Sequence, residues 1–200
     1  IKDGPVDVAR SADGSRLYMT LLNSSGVPVV DTARNAVVST FRVPNGTGGG
    51  VAVSPDGRSV YVGRGYDSAV AIVDAGTGGT RAKVPVPGYS ADSIAVSPDG
   101  SRVYAAVYGS PSVVAVIDPV AATVISSVQA GNQGADIALS PDGATLYIAS
   151  GELTVIDTAS LAVTAKVPIP DSAAGFAVSP DGSRIHISTP KGLTTVTVTG

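Results

Sequence analysis

Asp7, Asp92 and Asp136 stand in or just before the short apolar runs "VDVAR", "SIAVS" and "DIALS". Hard carboxylate oxygens are what Ca2+ and Mg2+ bind. Three such groups gathered at one point would either hold a cation or raise one another's pKa by like-charge repulsion. They are the candidate metal ligands, and Ca2+ is the candidate cation. Other chemistries are poorly served. The chain has one histidine, His186, and no cysteine, which excludes His-rich and thiolate metal or haem sites. A Ser–His–Asp triad would need His186 exposed beside a nucleophile, and no nucleophile-elbow motif occurs. The glycine-rich "NGTGGG" (Asn45 to Gly50) and "GTGG" (Gly76 to Gly79) are followed by strand patterns, not the helix a phosphate loop uses, and read as connections.

What positions the aspartates is a repeat. "SPDG" begins at Ser54, Ser97, Ser140 and Ser179, and "SADG" at Ser11; the first three intervals are 43 residues and the last is 39. Pro presets φ, Asp tolerates the next position and Gly supplies a positive φ, so the tetrapeptide reads as a turn. Before each turn lies an alternating β-branched run. After it come "RLYMT", "SVYVG", "RVYAA", "TLYIA" and "RIHIS", then a third run ending in Asp31, Asp74, Asp118 or Asp157, then a fourth in the first four units. Four short strands per unit, A to D, with no helical period, imply antiparallel meanders. A period of 40 to 45 residues is that of a propeller blade. His186 occupies the position of Tyr18, Tyr61, Tyr104 and Tyr147, so it is expected to be a wall residue packed against a neighbouring blade.

The stretch "IAVSPDGSRVYAAVYGSPSVVAVIDPVAATVISSVQAG" (Ile94 to Gly131) resembles the YVTN-type β-propeller repeat of surface-layer and related secreted proteins, and the resemblance runs through the whole chain. It implies an all-β propeller of four-stranded blades, near residues 1–43, 44–87, 88–130, 131–170 and 171–200. The ring would be five-bladed, or part of a six- to seven-bladed one. The fifth unit lacks a D strand, which would come from upstream of Ile1 if the termini pair in one blade. The resemblance also implies a bacterial protein of the cell envelope or secreted space. Two functions are compatible with it. One is a non-catalytic scaffold that holds a protein or glycan partner. The other is a lactonase- or lyase-like enzyme with a cation over the channel; such enzymes gather His, Arg and Glu there, and this chain has no such cluster.

In a propeller the B-to-C and D-to-A loops share one face, around the channel mouth. That face collects the candidate ligand-binding residues Asp7, Asp92, Asp136, Arg64, Tyr66, Asp67, Tyr108 and Lys191. Lys191 is the candidate counter-charge for the aspartates. The opposite face carries the repeated turns, and function concentrates where loops differ. The net charge is −3, with no basic stripe, which argues against nucleic acid as a partner. No run of 18 apolar residues spans a membrane.

Overall fold

The structure is a computed structural model, and it describes residues 4–65, 67–131, 136–169 and 175–198. The strands fall into five antiparallel sheets. Blade 1 holds β1 (Pro5–Arg10), β2 (Arg16–Leu21), β3 (Gly26–Asp31) and β4 (Ala36–Arg42). Blade 2 holds β5 (Gly48–Val53), β6 (Ser59–Arg64), β7 (Ala69–Asp74) and β8 (Thr80–Pro85). Blade 3 holds β9 (Ser90–Val96), β10 (Val103–Tyr108), β11 (Val113–Asp118) and β12 (Thr123–Gln129). Blade 4 holds β13 (Asp136–Leu139), β14 (Thr145–Ala149), β15 (Glu152–Asp157) and β16 (Val163–Pro168). Blade 5 holds β17 (Gly175–Val178), β18 (Arg184–Thr189) and β19 (Gly192–Thr197), three strands among the described residues. Inner strands pack in order, β1 on β5, β5 on β9, β9 on β13 and β13 on β17. The fold is a five-bladed β-propeller.

The repeated turn is a closed hydrogen-bond unit. In each copy the serine hydroxyl donates to the aspartate two residues on, at 2.5–2.6 Å, and accepts an N–H five residues on at 2.9 Å. The aspartate accepts a further N–H two residues on at 3.0 Å. The closing glycine holds φ near +70°, at Gly14, Gly57, Gly100, Gly143 and Gly182, where a side chain would be strained. The tetrapeptide therefore reads as a unit: its serine and aspartate bind each other and the N–H groups that close the turn.

The core lies between blades. Tyr18, Tyr61, Tyr104 and Tyr147 are all buried, each packing against the next blade. Tyr18, for example, meets Val51, Val60, Val62, Ala71 and Val73 of blade 2. Burial of tyrosines and β-branched side chains between the sheets is the main stabilising term. His186 departs from the expectation. It is only partly buried, and its Nδ1 lies 3.1 Å from Thr195 Oγ1. Blade 5 turns Ile185 and Ile187 toward blade 4, so strand alternation puts His186 on the far face, against no comparable apolar cluster.

One glycine run is also reassigned. Gly48, Gly49 and Gly50 are not a connection; they begin β5. A Cβ on Gly49 would lie 2.0 Å from the carbonyl oxygen of Ala91, and a Cβ on Gly63 of β6 would meet the same atom at 2.0 Å. Glycine stands there so that β9 can approach.

Candidate functional site

The position just before each inner-strand core is Asp7, Gly50, Ser93, Asp136 and Gly175. Where it carries a side chain, that side chain clips its blade to the next. Val51 N–H donates to Asp7 Oδ2 at 2.8 Å, and Val8 N–H donates to Oδ1 at 2.8 Å. Ile137 N–H donates to Ser93 Oγ at 3.3 Å, and the Ser93 hydroxyl donates to Asp136 Oδ1 at 2.6 Å. Phe176 N–H donates to Asp136 Oδ2 at 3.4 Å. Gly50 has no room for a side chain, since a Cβ would stand 2.8 Å from Ser93 Cα. Burial raises the Asp7 carboxyl above its ordinary value; the Val51 and Val8 amides lower it in part, and the charge of Asp136 raises it further.

Asp92 is out of step with these two. Ala91 pairs with Val107 and Ser93 with Ala106, so Asp92 sits in a β-bulge. It is exposed and accepts the Ser90 hydroxyl at 2.5 Å. Among the described residues, no three His, Cys, Asp or Glu side chains form a group that could hold a metal ion. The three-carboxylate arrangement read from the sequence is thus not formed: Asp7 and Asp136 bind backbone amides between blades, and Asp92 is one register position away from them.

Arg64 is corrected as well. It was expected to be a ligand contact, yet only 3 % of it is exposed. Its guanidinium lies 2.7 Å from Asp67 Oδ2 and donates to the Pro44 carbonyl. The same carboxylate oxygen takes Lys83 Nζ at 2.6 Å and Asn45 Nδ2 at 3.3 Å. Arg64 Nε and Asp67 Oδ1 have no hydrogen-bond partner among the described residues. This cluster ties the D-to-A loop, the B-to-C loop and β8 of blade 2 together. Tyr66 lies outside the described residues. Lys191 stands in the exposed turn between β18 and β19, where its N–H donates to Thr189 Oγ1 at 3.3 Å.

The loop face of blade 3 is built differently. Tyr89 and Tyr108 are 66 % and 47 % exposed, their ring centroids are 6.2 Å apart, and their planes meet at 45°. Tyr89 N–H donates to the Tyr108 carbonyl at 2.7 Å, and Ser68 Oγ donates to the Tyr89 carbonyl at 3.2 Å. Gly88 precedes the pair at φ +140°, and a Cβ there would meet the Tyr108 carbonyl oxygen at 2.6 Å. Ser90 pairs directly with Tyr108 and holds Asp92. Ser90 also closes a cleft of about 150 Å3 that runs past Leu22, Asn23, Thr47, Gly48 and Gly65. The sequence placed both Tyr89 and Tyr108 on this face but did not pair them; Gly88 and Gly109, which flank the pair, were the available signal.

Larger grooves, of about 440 and 880 Å3, open on the opposite face between blades 1 and 2 and between blades 2 and 3. Their walls are the repeated turns, Ser11, Asp13 and Tyr18 in one and Ser54, Asp56 and Tyr61 in the other. The serines and aspartates are already bonded to one another. These grooves arise from the divergence of neighbouring blades.

No protein-family model and no curated protein sequence matches the chain. Among solved structures it is similar to a chain of hydrazine synthase from Kuenenia stuttgartiensis, with a TM-score of 0.85 and 27 % identity. The match covers 96 % of this chain and 61 % of that one, so the chain spans less than two thirds of the protein it matches.

Proposed function

We propose that this propeller is a non-catalytic binding scaffold of the cell envelope or secreted space, and that the loop face is its working surface. The observation that supports this reading is the contrast between the two faces. On the turn face the same serines, aspartates and glycines recur and bond to each other. On the loop face equivalent positions differ from blade to blade, and exposed aromatic and charged groups stand among them. Scaffold turns repeat; surfaces that recognise something diverge. The resemblance to YVTN-type repeats supports the location.

A catalytic reading has one observation in its favour, the likeness to a chain of hydrazine synthase. Propellers carry many unrelated activities, so the likeness speaks to fold before chemistry.

Paired variants test the proposal. The chain is incubated with isolated bacterial envelope fractions and sedimented. Substituting Tyr108→Ala with Lys191→Ala on the loop face is expected to abolish co-sedimentation. Substituting Arg58→Ala with Arg184→Ala on the turn face is expected to leave it unchanged. Equal loss in both pairs, or no co-sedimentation of the unaltered chain, would overturn the reading.

A further inference from the structure

We infer that the Tyr89–Tyr108 ledge, with Asp92 and the cleft closed by Ser90, is a subsite for a carbohydrate chain. The inference rests on the binding-scaffold reading and names the ligand of its loop face. Two phenol rings stand side by side at the loop face, 66 % and 47 % exposed. Tyrosine offers a rigid amphipathic surface that loses little conformational entropy on binding. Here the backbone beneath is also fixed, by the hydrogen bond from Tyr89 N–H to the Tyr108 carbonyl, by the Ser68 hydroxyl on the Tyr89 carbonyl, and by a glycine at position 88 that admits no side chain. The ledge is therefore organised before any ligand arrives, which lowers the cost of binding.

The polar groups of β9, the strand that follows Tyr89, select among ligands. Asp92 is an exposed carboxylate with Oδ1 held by Ser90. A carboxylate accepts hydrogen bonds and donates none. A proline-rich peptide, the usual ligand of aromatic grooves, presents mainly carbonyl acceptors; the two phenol hydroxyls can meet those, but the Asp92 carboxylate cannot and repels them. A sugar presents hydroxyl donors at its rim and an apolar face of C–H groups to stack on a ring. Rings 6.2 Å apart and turned by 45° offer one surface each to two successive sugar units in a twisted chain. The cleft beyond Ser90 extends the track toward blades 1 and 2.

The test uses the full chain and three neutral hexasaccharides, cellohexaose, chitohexaose and maltohexaose, by titration calorimetry and tyrosine fluorescence. At least one is expected to bind. Tyr89→Ala and Tyr108→Ala should each weaken it about tenfold or more. Tyr108→Phe should retain most of the affinity, because the stacking face remains. Asp92→Asn should weaken binding less than loss of a ring. Circular dichroism and thermal melts establish that each variant is folded. Failure of all three sugars to bind, or binding that ignores both alanine substitutions, overturns the inference. A decaproline peptide that binds through the same tyrosines also overturns it, while leaving the loop face as the binding surface. Loss of envelope binding only in turn-face variants would instead sink the scaffold reading itself.

Discussion

At the scale of single residues, aspartate does two opposite jobs in this chain. Asp13, Asp99 and Asp181 lie in the repeated turns, where a serine hydroxyl and backbone amides hold their carboxyls down at about 2. A carboxyl with a lowered folded pKa contributes stability above its unfolded value and loses it as the pH falls through the folded one. Acid destabilisation from the turns should therefore grow as the pH falls through 3.8 and be complete only below about 2. Asp7 runs the other way. Its raised pKa, chiefly from burial, means that its ionisation costs stability as the pH rises through that value. Carbon-13 titration of the carboxyls should place Asp7 above 3.8 and the three turn aspartates near 2. Asp136→Asn removes a like charge from the neighbourhood of Asp7, so the Asp7 midpoint should move down. An unmoved midpoint would mean that the two carboxylates do not sense each other.

Among strands, close approach explains what propensity does not. Three consecutive glycines at the start of β5, and Gly63 within β6, would weaken an isolated strand. At Gly49 and Gly63 the Ala91 carbonyl of β9 occupies the space a Cβ would need, at Gly50 the Ser93 backbone does, and Gly48 holds a φ of +116° that favours glycine. Gly63→Ala is therefore expected to cost about 3 kcal/mol by overpacking, read by urea denaturation. Gly65→Ala is the control. Its Cβ would make only an ordinary 3.6 Å contact, so the change should stay within about 0.5 kcal/mol. Equal effects would show that strand propensity, not approach, decides. The same contrast explains what the sequence alone revealed. The turns and the tyrosine register were legible, because a local rule fixes each one. The role of Gly49 was not, because glycine is a turn signal until another blade is placed beside it. Asp92 was grouped with Asp7 and Asp136 as a neighbouring carboxylate, although the repeat puts Ser93 at their position; Asp92 lies one residue earlier, in the β-bulge. Arg64 was read as exposed because its burial depends on Asp67, Lys83 and the Pro44 carbonyl meeting in space. Tyr108 was legible as a loop aromatic, while its pairing with Tyr89 needed two loops brought together.

Across the whole molecule, coverage is uneven, and stability should follow it. Blades 2 and 3 are packed on both faces. Every residue of β6 is buried, as are five of six in β7 and in β10. Blade 1 turns Tyr18 and Phe41 inward to blade 2, but Val6 and Val8 on β1 are 44 % and 55 % exposed. Blade 5 turns Ile185 and Ile187 toward blade 4 and leaves Leu193 70 % exposed. Among the described residues, β19 pairs on one side only, with β18. Repeat folds are stabilised largely by nearest-neighbour interfaces, so a unit with one well-packed interface should open before a unit with two. Native-state hydrogen exchange is expected to show its slowest amides in β6, β7 and β10. Amides of β18 and β19 should open at about 2 kcal/mol less, roughly thirtyfold faster. If all five blades exchange through a single global opening with one free energy, the blades are coupled more tightly than their packing indicates. If blade 5 alone opens early, the loop face of blade 3, with Tyr89, Tyr108 and Asp92, remains framed by blades 2 and 4, which stay folded against it.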